Sequence, residues 1–207
     1  MNWRLASRLS VITLGLLVIV IVTVAQNNKG LFSGTPAASS SSLQGSDLGG
    51  TTAPNFTLAD QNGKLVSLSQ FKGRPVVLTF VYTHCPDQCP LTAERLHTSM
   101  VTLGSDASKV GVIAVSTDPK GDTKQAAQKF TLQHNMQDYW HYLIGTQETL
   151  TPVWDAYNVY AQGQQQSVDH SLAIYIIDKQ GRERSFFGGN NFQPDQITTD
   201  LKILLKE

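Results

Sequence analysis

Val76-Val77-Leu78-Thr79-Phe80-Val81-Tyr82 runs through Thr83-His84 into Cys85-Pro86-Asp87-Gln88-Cys89-Pro90. The first seven residues are almost wholly apolar on both alternating faces, the pattern of a strand covered by helices on each side. The two cysteines that follow are the only ones in the chain. Set four positions apart, they read as a pair that makes a reversible disulfide, a soft-metal site, or both. A purely structural bridge is the rival, but a loop this short removes little chain entropy. A residue before proline is pushed out of the α region, so Cys85 and Cys89 are not expected to share one regular helix. Pro90 suits the first helical position. The apolar spacing predicts a helix from there through Leu91, Leu96 and Met100 toward Leu103, with Cys89 at its N-cap. The positive end of that helix favours a nearby thiolate.

Outward from this point the chain alternates strands and helices. Phe56–Leu58 and Leu65–Leu68 flank Asn62-Gly63 as a hairpin. Ser69–Lys72 reads as a helical turn. Val110–Ser116 is a second apolar strand, followed by a helix over Thr123–Leu132. Tyr142–Ile144 is a short strand and Gln147–Tyr157 a helix whose start Pro152 weakens. Leu172–Ile177 and Glu183–Phe187 form a hairpin around Asp178-Lys179-Gln180-Gly181, and Gln193–Leu205 closes the chain as an amphipathic helix. This order predicts an α/β fold with a mixed central sheet flanked by helices. A cysteine pair between the first central strand and the next helix makes it thioredoxin-like, although three residues separate the cysteines rather than two.

The ends bound the rest. Sixteen basic and sixteen acidic residues give zero formal charge, so no basic patch argues for nucleic acid. Leu9–Ala25 is apolar and uncharged, and Arg4 and Arg8 precede it. It is long enough to cross a thin bilayer, with the arginine end retained in the cytoplasm. The expected organisation is a cytoplasmic tail over 1–8, a transmembrane anchor over 9–25, a Ser/Gly-rich flexible linker over 26–53 and an extracytoplasmic domain over 54–207. A cleaved signal peptide ending near Ala25 is the competing reading, and it exports the same domain.

Other residues invite chemistry. His84 adjoins Cys85, and neighbouring side chains on extended backbone point apart, which makes it a poor chelate partner for the thiols. His97, His134 and His141 read as surface histidines. His170, in Ser167-Val168-Asp169-His170-Ser171, precedes the strand at 172–177. In a thioredoxin-like sheet its loop reaches the edge from which the cysteine loop emerges; the alternative is a histidine that only caps a strand. Asp118 leaves the second strand at the same edge, where it adds negative potential or orients a ligand from outside the coordination sphere. Asp122 is expected to cap the following helix.

Three segments together resemble the Sco (SenC/PrrC-like) proteins: Cys85-Pro86-Asp87-Gln88-Cys89-Pro90, Ser116-Thr117-Asp118-Pro119 with Asp122-Thr123, and Asp169-His170-Ser171. The resemblance covers Pro54 to the end. It implies a membrane-anchored, copper-binding thioredoxin fold that serves cytochrome c oxidase assembly. By resemblance, Cys85, Cys89 and His170 bind copper as Cu(I) or Cu(II), the cysteines also act as a redox pair, and Asp118 is the acid of the second motif. The implied partners are cytochrome c oxidase subunit II, an upstream copper donor or thiol reductant, and the membrane. The implied activity is metallochaperone first, with thiol–disulfide reductase activity beside it. Two thiolates and an imidazole are a soft, three-donor set that suits Cu(I), whereas a structural zinc wants a fourth strong ligand. The rival is a general thiol–disulfide oxidoreductase or a thiol peroxidase, for which Thr83 and Arg95 stand nearby in sequence.

Overall fold

The computed structural model describes residues 42–159, 173–189 and 191–207. The chain divides between Ser42 and Leu43, and the architecture is that of the second unit. The expected tail and anchor lie outside the described residues, as do most of the linker, Leu172 and His170. Among the described residues no helix is long and apolar enough to cross a membrane.

The sheet is built from β1 (Ser46–Asp47), β2 (Thr57–Asp60), β3 (Leu65–Ser67), β4 (Val76–Val81), β5 (Gly111–Ser116), β6 (Trp140–Ile144), β7 (Ala173–Ile177) and β8 (Glu183–Gly188). The helices are α1 (Gln88–Leu103), α2 (Lys124–Gln133), α3 (Gln147–Ala156) and α4 (Pro194–Lys206). Strand order is β1-β8-β7-β4-β5-β6-β2-β3. β4, β5 and β6 run parallel, and β7 joins β4 antiparallel. This is the mixed α/β sheet that the alternation of strand and helix predicts.

β4 and β5 are buried at every position, as strands without a water-facing side must be. Their side chains alternate between two cores. Val77 and Val81 face one that contains Leu96 and Met100 of α1, Phe130 of α2 and Leu201 of α4. Leu78 and Phe80 face the other, with Leu150 and Trp154 of α3 and Phe71. Gly111, the first residue of β5, lies against Phe71: a Cβ there would stand 2.3 Å from a ring carbon. Gly111→Ala is therefore expected to overpack this core and cost about 1–3 kcal/mol, read as a fall of roughly 2–12 °C in melting temperature for a domain of this size.

Two sequence expectations are corrected here. The linker assigned to 26–53 ends earlier, because residues from Leu43 onward belong to the domain. Ser46–Asp47 adds a strand to the open edge of β8. Gln44 N–H donates to buried Asp200 at 2.6 Å, and Ala53 N–H donates to the Gly181 carbonyl at 2.9 Å. Backbone partners, with Leu43, Leu48 and Ala53 packed against the two cores, order a segment whose remaining side chains are mostly small and polar. Asp122 also does not cap α2. Thr123 does, accepting the Ala126 N–H at 3.2 Å, and Asp122 turns inward instead.

Candidate metal and redox centre

β4 ends at Val81, and the chain crosses Tyr82, Thr83 and His84 to reach Cys85 before α1 begins at Gln88. The helix starts two residues earlier than Pro90 predicts. Cys89 therefore lies in its first turn, while Cys85 stays outside it. The early start is compatible with Pro90 because first-turn N–H groups have no intrahelical acceptor to lose. The Cys89 N–H instead donates to Cys85 Sγ at 3.2 Å, so a thiol sulfur stands where a capping oxygen usually does. Cys89 Sγ in turn accepts the Tyr82 N–H at 3.5 Å.

Both cysteines are free and buried, and both belong to the core that α1 packs onto. Their environments separate them. The hydrogen bond from the Cys89 thiol, aided by the backbone N–H groups of Cys89 and Asp87 against the opposing cost of burial, lowers Cys85 from 9.0 to about 5. Cys89, which supplies that proton and is the more deeply enclosed, is pushed well above the ordinary thiol range. Burial, reinforced by the Cys85 charge, raises Tyr82 to about 12. The pair at neutral pH is one thiolate, Cys85, holding the proton of one thiol, Cys89. The activated sulfur at the helix start is thus the one outside the helix.

The loop after β5 supports this arrangement from the side. Thr117 N–H donates to the Val81 carbonyl at 2.9 Å, continuing the β4–β5 pairing up to the cysteine loop. Asp122 is buried beneath it. Its Oδ1 accepts the Thr83 N–H at 2.8 Å, and its Oδ2 accepts the hydroxyls of Ser116 at 2.6 Å and Tyr142 at 2.8 Å. One carboxylate so ties the cysteine loop to β5 and β6. Sequence reading missed this role because the aspartate sits at an apparent helix start; only the threonine after it, a competent cap, hinted otherwise. Asp122→Ala leaves three donors to find new partners. At ~1–3 kcal/mol for each donor left unpaired, it is expected to destabilise the domain by about 3 kcal/mol, measured by denaturant unfolding.

Asp118 is half-buried at the same edge and folds back on its own loop, Oδ1 accepting the N–H groups of Gly121 at 2.9 Å and Lys120 at 3.2 Å. His84 turns toward that loop, and its Nδ1 lies 3.1 Å from Thr83 Oγ1. Arg95 lays its guanidinium over the Phe192 ring, 5.3 Å from the centroid. The structure thus brings Cys85 and Cys89 together and sets Asp118 on the neighbouring loop. His170 is not among the described residues.

Two free sulfurs within one hydrogen-bonded turn, one of them ionised, fit a soft cation. The SCO1/SenC family model matches residues 44–206. The chain belongs to the SCO1/SenC family. Among its relatives, the mitochondrial SCO2 homologue of Bos taurus is 29% identical over 159 residues, 72% of this chain and 58% of the relative. The SCO1 homologue of Bacillus subtilis is 27% identical over 154 residues, 71% of this chain and 79% of the relative. The chain therefore spans less than two thirds of the bovine protein. Of solved structures, Bradyrhizobium japonicum ScoI with copper bound matches with a TM-score of 0.64 and 32% identity, over 75% of this chain and all of that one. The mixed sheet and these Sco neighbours establish the thioredoxin-like fold.

Proposed function

We propose that this Sco protein is a membrane-anchored, extracytoplasmic copper chaperone and thiol redox protein, acting in assembly of the dinuclear copper site of cytochrome c oxidase, on subunit II. Copper is its cargo, held by Cys85, Cys89 and His170. The observation that carries the reading is the unbridged sulfur pair, with the Cys89 N–H donating to Cys85 Sγ at 3.2 Å. The copper-bound ScoI relative and the family match support it. Two thiolates hold Cu(I) well by themselves, and an added imidazole extends the set toward Cu(II). The anchor over 9–25 rests on the apolar run behind Arg4 and Arg8.

The same pair supports disulfide chemistry on a partner. The Cys85 thiolate attacks one sulfur of the partner's disulfide, and the other sulfur leaves and takes a proton from solvent. Cys89 then loses its proton and attacks the Cys85 sulfur, freeing the second partner thiol. The partner gains two electrons and two protons, and this chain ends as a disulfide. That product has lost both anionic donors, so oxidation releases the metal.

Titration of the reduced full chain with Cu(I) against a competing chelator tests the proposal, with one Cu(I) per chain expected. His170→Ala is expected to weaken Cu(II) more than Cu(I), because Cu(I) keeps its two thiolates. Unchanged affinity for both ions would remove His170 from the ligand set.

A further inference from the structure

We infer that His84, Asp118 and Asp122 form a second cation site at the rim of the cysteine loop, one that takes a borderline divalent ion such as Zn(II) or Cu(II) through nitrogen and oxygen. One donor atom from each of the three lies within 4.8 Å of the others. Two ligands held at ~2.0–2.2 Å by one tetrahedral ion stand about 3.3–3.6 Å apart, so the side chains close on the ion by up to ~1.5 Å. The residues come from two separate loops. His84 follows β4, Asp118 and Asp122 follow β5, and the parallel pairing of these strands delivers both loops to one edge.

Gly121 marks the same convergence from the backbone side. Its backbone is not among those with positive φ, so conformation does not call for glycine there. Space does: a Cβ at 121 would stand 2.1 Å from Asp118 Oδ2 and 3.1 Å from His84 Nδ1. The position is free of a side chain where a carboxylate and an imidazole converge. Charge points the same way. Among the described residues, no Lys or Arg forms an ion pair with Asp118 or Asp122. Asp122 is fixed by the Thr83 N–H and the hydroxyls of Ser116 and Tyr142, partners of the kind that orient a metal-binding carboxylate. A carboxylate has about four acceptor positions, which leaves one available to an ion.

The donor set separates this site from the sulfur pair. Carboxylates and imidazole suit divalent Zn(II) or Cu(II), whereas Cu(I) goes to thiolate. The site goes beyond the copper reading and does not depend on it. An ion bound here would sit next to Cys85 in sequence, on the loop that presents the thiols.

The test is calorimetric titration of Zn(II) into the full chain carrying Cys85→Ser and Cys89→Ser, which removes sulfur ligation. One Zn(II) per chain is expected, with affinity at least ~10-fold weaker when His84→Ala or Gly121→Ala is added, since the loss of even an outer partner costs ~10–100-fold. Gly121→Ala spares every donor, so its effect reports their convergence alone. No Zn(II) binding, or binding unchanged in both variants, overturns the site and leaves Cu(I) binding by the native thiols untouched. Should the serine chain not fold, cadmium NMR of the native chain serves. An oxygen- and nitrogen-ligated resonance that His84→Ala removes supports the site, and a sulfur-ligated resonance alone overturns it.

Discussion

Cys85→Ser is expected to weaken Cu(I) binding by more than the ~10–100-fold that loss of an outer-sphere partner costs a metal site. A serine hydroxyl is neutral at pH 7 and a hard donor, so the site loses both the charge and the softness that hold Cu(I). The fold should survive the change. The introduced hydroxyl keeps an acceptor for the Cys89 N–H, which in the native chain reaches Cys85 Sγ at 3.2 Å, and oxygen is the usual acceptor at a helix start. An unchanged thermal melt beside the lost affinity would separate ligand loss from unfolding. Cys89→Ser should lose Cu(I) as well. Cys89→Ala, which removes the donor altogether, should return Cys85 toward its ordinary value of 9.0, because the hydrogen bond from the Cys89 thiol is the largest influence lowering it. Full retention of Cu(I) affinity by Cys85→Ser would falsify the chaperone reading.

The strands that position this chemistry were legible because burial leaves a plain mark. Val76–Val81 and Gly111–Ser116 are apolar on both faces, and the sheet buries them at every position. The cysteine pair was legible because two thiols four residues apart have few uses. What the sequence hid depends on backbone partners and on loops meeting in space. β1 is held by the open edge of β8 and by Asp200, neither of which a Ser/Gly-rich stretch announces. β6 begins at Trp140, earlier than the apolar run at Tyr142–Ile144 implies. His141 breaks the run there, and it reaches across to buried Asp60 at 3.0 Å. The direction His84 takes, toward Asp118 over Gly121, follows from the pairing of β4 with β5 and not from any local pattern. The activated thiol was foreseen near the helix start. Which sulfur it is depends on the Cys89 thiol and N–H, both of which donate to Cys85.

The ionised state of Cys85 predicts an unusual pH profile. Between its ordinary 9.0 and about 5, an intrinsic nucleophilicity that falls by ~0.4–0.5 decade per pH unit of lowered pKa loses nearly two decades. At pH 7 an ordinary thiol of this kind is only about 1% ionised. The gain in thiolate fraction and the loss in reactivity therefore nearly cancel, and alkylation at pH 7 should look unexceptional. At pH 5 the balance breaks: Cys85 remains about half ionised while an ordinary thiol is down to roughly one part in ten thousand, leaving Cys85 about 100-fold faster. The iodoacetamide rate at Cys85, followed by mass spectrometry, should stay flat from about pH 8 to 6 and halve near 5, with Cys89 unlabelled until the fold is lost. A rate that instead falls tenfold per pH unit below 9 would remove the thiolate. Stability carries the same signature: because folding lowers Cys85, its contribution is full above pH 9.0 and fades as pH drops toward about 5. Cys89 acts in reverse, costing stability as pH climbs past 9.0, where the unfolded thiol ionises and the buried one does not. Metal binding then has a fixed proton count. With Cys85 already ionised and Cys89 protonated, Cu(I) loading at pH 7 should expel about one proton, where two ordinary thiols would release nearly two. Calorimetry in buffers of different ionisation enthalpy reads that number directly, and a value near two would mean that the shared proton between the sulfurs is not there.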